Sequence, residues 1–213
     1  MQKKLEKLNI VERIKAIVNP LIVAFFFSAF FIVIITITVG EKLDQYLSIL
    51  NTMSVMANIS NSEDIKIKSH RLINAPAWGK SFGTIKIPSV SIELPIKHGD
   101  SADLLVNSAG HYAGSYFPGE GGTIIIPAHN ARGMFYTLPN VKIGDEIIIE
   151  TTYGKYNYEI YDTNIVDYRD SSKFPIKKDE EILIVYTCYP VDSLWAVNDR
   201  FVAYAKLVGD ESE

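Results

Sequence analysis

The chain beyond residue 80 is predicted to fold as a closed or nearly closed β-barrel with only brief helices. Short apolar runs rich in β-branched residues recur along it, and several alternate with polar residues as half-buried strands do. Glycine- and proline-containing turns separate these runs and leave little room for long helices. Many short strands at close spacing are typical of small barrels. The predicted fold class is therefore mainly β.

Length and composition exclude several classes of function. The chain has 213 residues, and its 25 acidic and 21 basic side chains give a net charge of −4. This balance, without a basic stripe that carries aromatic residues, predicts no nucleic-acid binding. Cys188 is the single cysteine, so an intramolecular disulfide is excluded. Histidine and cysteine do not occur at metal-ligand spacing, and we predict neither a zinc site nor another cofactor.

An N-terminal membrane anchor is predicted over residues 16–40, which carry no charged side chain. About 20 apolar residues suffice for a helix to cross a bilayer. Residues 1–15 are basic, so they are expected in the cytoplasm, with the rest of the chain beyond the membrane. A cleaved signal peptide is the alternative, but this apolar run is longer than usual for one and no small-x-small site follows it.

Residues 41–80 are predicted to connect the anchor to the domain. Leucine and methionine recur at helical spacing from Leu43 to Met56, which indicates a juxtamembrane helix with one apolar face. A polar linker follows this helix. The stretch Asn74-Ala-Pro-Ala-Trp78 has extended character, and we expect it to dock at an edge of the domain. A lid over a groove is the alternative for this stretch.

The first half of the domain alternates short strands with loops. Isoleucine and leucine alternate with polar residues over 85–87 and 92–96, which predicts two strands. A short helix is expected over 100–107 and a helical turn over 134–138. Between them, after a glycine-rich passage, an apolar strand is predicted from Thr123 to His129.

Four further strands are predicted in the second half of the domain. They cover residues 146–151, 155–161, 182–188 and 201–207. Two sets of alternating side chains are each expected to share a face: Tyr156, Tyr158 and Ile160, and Phe201, Ala203, Ala205 and Leu207. Residues 209–213 are predicted to form a polar tail, with no second membrane span.

Cys188 is the candidate nucleophile. It ends an apolar strand beside a Tyr-Pro turn, where a side chain can reach a groove. Free cysteines are often buried and inert, whereas an exposed thiol without a role is a liability in an exported chain. A nucleophilic thiol needs a base or a cationic neighbour, because thiols are mostly protonated at neutral pH. The residue pattern alone leaves both interpretations open.

His129 is the candidate proton partner, because a strand fixes its position and imidazole can protonate a leaving amine. The other three histidines lie in loops or beside the linker. We expect His70, His98 and His111 to be solvated, with His111 as the alternative acid.

Arg200 opens the strand that follows the cysteine. A guanidinium there can hold a substrate carbonyl and stabilise an oxyanion. The structural alternative is a rim residue or a partner of Asp199. Arg132 and Arg169 compete for the same role, but both lie in loops.

The order of these residues resembles the sortase family. Its nucleophile motif stands here as Ile184-Val-Tyr-Thr-Cys188, with Val185 at the usual leucine position, between His129 upstream and Arg200 downstream. Further matches are Ile85-Lys-Ile-Pro88, Leu94-Pro-Ile96, Gly110-His-Tyr112, Pro118-Gly119, Pro127-Ala-His-Asn130, Phe135, Leu138, Gly144-Asp145 and Tyr158. The resemblance covers about residues 80–208 and is most like class D.

This resemblance implies an eight-stranded sortase barrel over residues 81–208, anchored outside the membrane of a Gram-positive cell. The implied activity is transpeptidation of surface proteins that carry an LPxTG-like sorting signal. Cys188 is the implied nucleophile, His129 the acid and Arg200 the group that binds substrate and oxyanion. An amine of peptidoglycan or of a lipid-linked precursor is the implied acceptor. The groove is expected to be lined by Ala128, Val185, Thr187 and Trp195.

Three alternative functions are weighed. A pilin-polymerising, class C-like sortase usually adds a second membrane span and an Asp-Pro-aromatic lid. An L,D-transpeptidase places His-Gly before its cysteine, where this chain has Tyr186-Thr187. A non-enzymatic envelope adaptor would simply bury Cys188.

Calcium is not expected: the acids Asp100, Asp103 and Glu120 are spaced as in an ordinary solvated loop.

Overall fold

The computed structural model describes residues 20–35, 65–178, 180–191, 193 and 197–212. The chain divides into two units, residues 1–49 and 50–213, and each is described by itself. In the first unit residues 20–35 form a helix. Within the described part of the chain no helix combines the length and apolarity that a membrane crossing requires. Both ends of the predicted anchor, 16–19 and 36–40, and the predicted juxtamembrane helix lie outside the described residues.

Eight strands of the second unit form one sheet. They are β3 (Ser81–Ile87), β4 (Ile92–His98), β5 (Ala109–His111), β6 (Ile124–Pro127), β7 (Glu146–Thr151), β8 (Gly154–Asp167), β9 (Ile182–Tyr189) and β10 (Asp199–Ser212). Their order across the sheet is β5-β4-β3-β7-β8-β10-β9-β6. The pairs β4–β5 and β6–β9 are parallel and the other pairs are antiparallel. Among the described residues of this unit, the helices are short 3-10 turns at Pro88–Val90, Leu104–Val106, Phe135–Asn140 and Ser171–Lys173.

The two edges of this sheet approach each other. Tyr112, directly after β5, donates its backbone N–H to the carbonyl of Ile125 in β6 over 3.0 Å. The sheet is therefore nearly closed, and the predicted eight-stranded barrel with few helices is confirmed. The predicted helix over 100–107 is reduced to the single turn Leu104–Val106.

Alternating side chains fill the barrel. Tyr156, Tyr158 and Ile160 of β8 are all fully buried in the main core, as predicted. Phe201, Ala203 and Ala205 of β10 are buried in the same cluster, and Leu207 packs against it. One face of each strand therefore builds the interior, and the opposite face is left for solvent or for a binding groove.

Several strand boundaries differ from the prediction, most of all those of β6, β8 and β10. Strands β8 and β10 extend well past their apolar segments, because they pair with each other from Asp199↔Asp167 to Ser212↔Gly154. Ladder hydrogen bonds thus hold polar residues in strand conformation that their own sequence does not favour. Strand β6 is shorter than predicted and ends at Pro127, two residues before His129.

The segment before the barrel is docked on it. It contains the small hairpin β1 (Lys66–Ile67) and β2 (Leu72–Ile73). The N–H of Leu72 donates to Oε1 of Glu120 over 2.9 Å, and Oε2 accepts from Phe117. Glu120 is thus a structural acceptor rather than a solvated loop acid. Further on, Gly79 donates its N–H to the carbonyl of His98, and the N–H of His98 donates to the carbonyl of Lys80, so the pairing of β3 with β4 extends back to Gly79.

The carboxylate of Glu181, at the start of β9, joins three parts of the chain. It accepts hydrogen bonds from the backbone N–H groups of Gly119 (3.0 Å) and Gly121 (2.9 Å). The hydroxyl of the fully buried Tyr158 donates to Oε1 over 2.8 Å. A neighbouring loop and the barrel interior therefore share one acceptor, and these three donors depend on it.

Replacing Glu181 with alanine should destabilise the barrel, because three donors lose their acceptor and Tyr158 has no access to water. We expect the free energy of unfolding in urea to fall by about 3 kcal/mol. Glu180→Ala, which removes an exposed acid next to it, is the matched control. Equal free energies of unfolding for the two variants would contradict the role given to Glu181.

Candidate functional site

Strand β9 carries the single cysteine on the outer face of the barrel. Leu183 and Val185 point into the main core, whereas Ile184 and Tyr186 belong to a second cluster on the opposite face. Alternation along the strand therefore places Cys188 on the same outer face as Tyr186. The thiol is free and half-buried, so it is accessible at the surface of the sheet.

Strand β10 places an arginine beside this thiol. Arg200 pairs directly with Cys188, and Val202 pairs with Tyr186. Side chains of directly paired residues lie on the same face, with their Cβ atoms about 5 Å apart. The predicted arginine and cysteine are thus neighbours through backbone register alone.

Strand β6 brings the histidine to the other side of the thiol. The parallel ladder pairs Ile125 with Ile184 and Pro127 with Tyr186. It continues for one more contact, in which the N–H of Ala128 donates to the Tyr186 carbonyl over 3.2 Å. His129 follows Pro127 by two residues, as Cys188 follows Tyr186. The order across the sheet end is therefore His129, Cys188 and Arg200.

The backbone around the histidine is also held in place. The carbonyl of His129 accepts the N–H of Phe135 over 3.0 Å, and Phe135 is fully buried. The next residue, Asn130, donates its side-chain Nδ2 to the carbonyl of Val191 over 3.3 Å. Val191 follows β9, so the turn after the cysteine and the turn that carries the histidine are joined.

The end of this face farthest from the thiol is covered. Ile125, Ile184 and Val202 are buried there in the second cluster, and Phe174 packs on it from the connection between β8 and β9. The ring of Phe174 meets Tyr186 edge-on, with 5.1 Å between ring centroids. The hydroxyl of Tyr204 donates to the carbonyl of Lys173 over 2.9 Å and helps to hold this connection. Tyr186 therefore marks the boundary between the covered and the accessible part.

Two of the predicted groove residues are corrected. Val185 is fully buried in the barrel core, because its position in the strand alternation turns it away from the thiol. Thr187 is 1% exposed, and its hydroxyl donates to the Ala128 carbonyl over 3.0 Å. Its hydroxyl thus links β9 to the end of β6 and does not face a ligand. Ala128 is itself buried, and Trp195 lies outside the described residues.

Tyr186 is a residue beside the candidate nucleophile that the sequence pattern did not single out. It lies two positions before Cys188 on the same face, and within the described residues its hydroxyl makes no hydrogen bond. Burial raises the pKa of this hydroxyl to about 12, and the carboxylate of Asp100 contributes to the shift. No local signal could have identified it, because residues 182–186 are apolar throughout.

Comparisons with known proteins identify the family. The sortase domain model matches residues 85–208, more than half of the chain. This chain belongs to the sortase family. It is similar to Sortase D of Bacillus subtilis (strain 168), with 36% identity over 133 aligned residues. The alignment covers 62% of this chain and 67% of that protein. The sortase is thus a cysteine transpeptidase, and the resemblance stated from its sequence is confirmed.

Solved structures agree with this assignment. The Sortase D5 transpeptidase of Clostridium perfringens matches 61% of this chain and 80% of its own, with a TM-score of 0.55 and 27% identity. Sortase C1 of Streptococcus agalactiae matches 62% and 69%, with a TM-score of 0.56 and 27% identity. Sortase A of Listeria monocytogenes shares the fold, with a TM-score of 0.56 over 62% of this chain and 90% of that chain, at 24% identity.

The expectation that His98 and His111 are solvated is wrong. His111 is fully buried in β5, stacked on Phe117 with 4.2 Å between ring centroids. Its Nδ1 lies 3.0 Å from Nδ1 of His98, and its Nε2 lies 2.9 Å from the Tyr116 carbonyl. Because a carbonyl only accepts, Nε2 of His111 carries its proton and Nδ1 accepts from His98. His111 is therefore a structural residue of this sortase and not an alternative acid.

His111 should resist protonation in the folded sortase. Burial lowers the pKa of His111 from 6.5 to about 4, and the neighbouring His98 acts in the same direction. The folded state thus binds fewer protons than the unfolded chain between these values. The stability that this histidine contributes is complete above pH 6.5 and is lost as the pH falls toward 4, by up to about 3 kcal/mol.

The direct measurement is an NMR titration of the histidine rings, in which His111 should remain neutral at pH 5. A His111 midpoint near the ordinary histidine value of about 6.5 would contradict the buried, hydrogen-bonded pair.

Proposed function

We propose that this sortase cleaves LPxTG-like sorting signals of surface proteins between threonine and glycine and transfers the protein to a cell-wall amine. The observation that supports the proposal is the register of β9, in which Cys188 pairs with Arg200 of β10 and Tyr186 pairs with Pro127 of β6, two residues before His129. A nucleophile, a proton donor and a fixed cation are what acyl transfer through a thioester needs.

In the first step the Cys188 thiolate attacks the carbonyl carbon of the signal threonine. The S–C bond forms and the carbonyl oxygen takes up the electron pair, which gives a tetrahedral intermediate. The intermediate collapses, the C–N bond to glycine breaks, and His129 as imidazolium transfers a proton to the departing amine. The products are a thioester on Cys188 and a free glycine amine.

Arg200 supplies the positive charge for this step. Its place opposite Cys188 on β10 suits a hydrogen bond to a substrate carbonyl and to the oxyanion that forms on attack. In the second step an amine of peptidoglycan or of a lipid-linked precursor attacks the thioester. Neutral His129 accepts the proton of that amine, and Cys188 leaves as the thiolate. The enzyme is thereby returned to its starting state.

Class D-type anchoring is the favoured cellular role. The 36% identity to Sortase D supports it over a pilin-polymerising, class C-like role. The adaptor alternative loses its basis, because the chain belongs to a family of transpeptidases and its thiol is half-buried rather than enclosed. An N-terminal membrane anchor with an extracytoplasmic catalytic domain is part of this proposal, and it rests on the uncharged residues 16–40.

Alanine at position 188 or 129 should abolish cleavage of a quenched LPxTG-type peptide. Removal of the nucleophile or of the proton donor typically lowers kcat by at least about 1,000-fold. Arg200→Lys keeps a charge but loses the planar fork, so we expect an intermediate loss of kcat/KM. Peptide cleavage by the purified domain is the measurement.

The matched control for His129 is His70→Ala, which removes an exposed histidine far along the chain and should leave kcat/KM unchanged. Full activity in His129→Ala would contradict the assigned proton donor. A folded wild-type enzyme that cleaves none of several signal variants would contradict the proposed substrate.

A further inference from the structure

Tyr168 lies beside the side chain of Arg200. It directly follows β8, and its N–H donates to the Asn198 carbonyl over 2.9 Å, so the ladder with β10 continues past Asp167. Val166 pairs with Arg200, and Tyr168 comes two residues later. Diagonal neighbours of this kind share a face and are within reach of long side chains. The backbone thus places the tyrosine ring beside the guanidinium.

The guanidinium of Arg200 is held at three points. Its central carbon lies 5.4 Å from the centroid of the Tyr168 ring, which is within cation–π range. One nitrogen, Nη1, donates to the carbonyls of Val197 (3.0 Å) and Asp199 (2.9 Å). Within the described residues, Nε and Nη2 make no hydrogen bond. One edge of the guanidinium is thus anchored through Nη1.

The ring of Tyr168 is itself restrained. Its hydroxyl accepts a hydrogen bond from Nε of Arg169 over 3.2 Å, and the Arg169 guanidinium carbon lies 5.1 Å from the ring centroid. The same side chain therefore contacts two cations, although it is half exposed. Arg169 therefore contacts Tyr168, which differs from the substrate contact for which the sequence analysis considered it.

We propose that Tyr168 is a positioning residue for Arg200: its ring restrains the guanidinium that binds substrate. The proposal rests on the function proposed above for Arg200. A free arginine side chain samples many rotamers, and ordering it costs binding free energy at each encounter. A ring that restrains the guanidinium beforehand reduces this cost and keeps the fork near its productive geometry. The aromatic face, and not the hydroxyl, carries the effect on Arg200.

The test compares Tyr168→Leu with Tyr168→Phe. Leucine removes the aromatic face, and we expect kcat/KM for the LPxTG-type peptide to fall about fivefold, as loss of an exposed cation–π contact implies. Phenylalanine keeps the face and should stay within about twofold of wild type. Tyr161→Leu is the matched control, since Tyr161 is a half-exposed tyrosine of β8 that neighbours Tyr204 instead.

A second readout does not depend on activity. The Nε–H signal of Arg200 in NMR, assigned by its loss in Arg200→Lys, should report a restricted guanidinium in wild type and in Tyr168→Phe. In Tyr168→Leu it should report a less restricted guanidinium, held only by the two carbonyl hydrogen bonds of Nη1. The proposal is overturned if the leucine variant leaves the guanidinium as restricted as in wild type, or if the phenylalanine variant loses as much activity as the leucine variant. An inactive wild-type enzyme would contradict the proposed function, while the NMR comparison would still decide the role of Tyr168.

Discussion

The pairing register of β9 with its two neighbours is the constraint on which the site depends. Cys188 is opposite Arg200 on one side, and on the other the ladder to β6 leads to His129. A slip of one residue along either ladder would turn the whole set of side chains to the opposite face. Both faces of β9 are apolar, but the side chains of one face pack in the main core and those of the other face pack in the second cluster. Because each face fits its own cluster, this packing fixes the register. Chemistry at this sheet end is therefore a consequence of barrel packing.

The same partition explains how neighbouring residues of one motif come to serve different purposes. Val185 fills the barrel, and Thr187 joins β9 to Ala128 through its hydroxyl. Tyr186 and Cys188 face outward, where the Phe174 segment covers the former and leaves the thiol accessible. The motif thus combines two structural residues with two that face the groove. Rigid placement of this kind favours catalysis, because little reorganisation is needed when substrate binds.

The sequence predicted the barrel, because β-branched runs are local signals, and its Thr-Cys motif led to the candidate triad that stays a prediction. It did not separate the faces of β9, because residues 182–186 are apolar throughout and alternation has no polar marker there. It also misjudged His98 and His111, whose glycine-containing surroundings suggested solvent. In the fold the two imidazoles share a hydrogen bond, and the ring of His111 stacks on Phe117. The support of Arg200 by Tyr168 depends on pairing between two strands distant in sequence, which no local pattern encodes.

A crystal structure of the domain with a threonine-ended LPxT peptide analogue bound covalently to Cys188 would test the central claim most directly. The register predicts that the former carbonyl oxygen lies within hydrogen-bond distance of the Arg200 guanidinium. It also predicts the His129 imidazole on the opposite side of the sulfur, facing the position of the leaving amine. A covalent adduct in which either side chain points away from the reacting carbon would contradict the account.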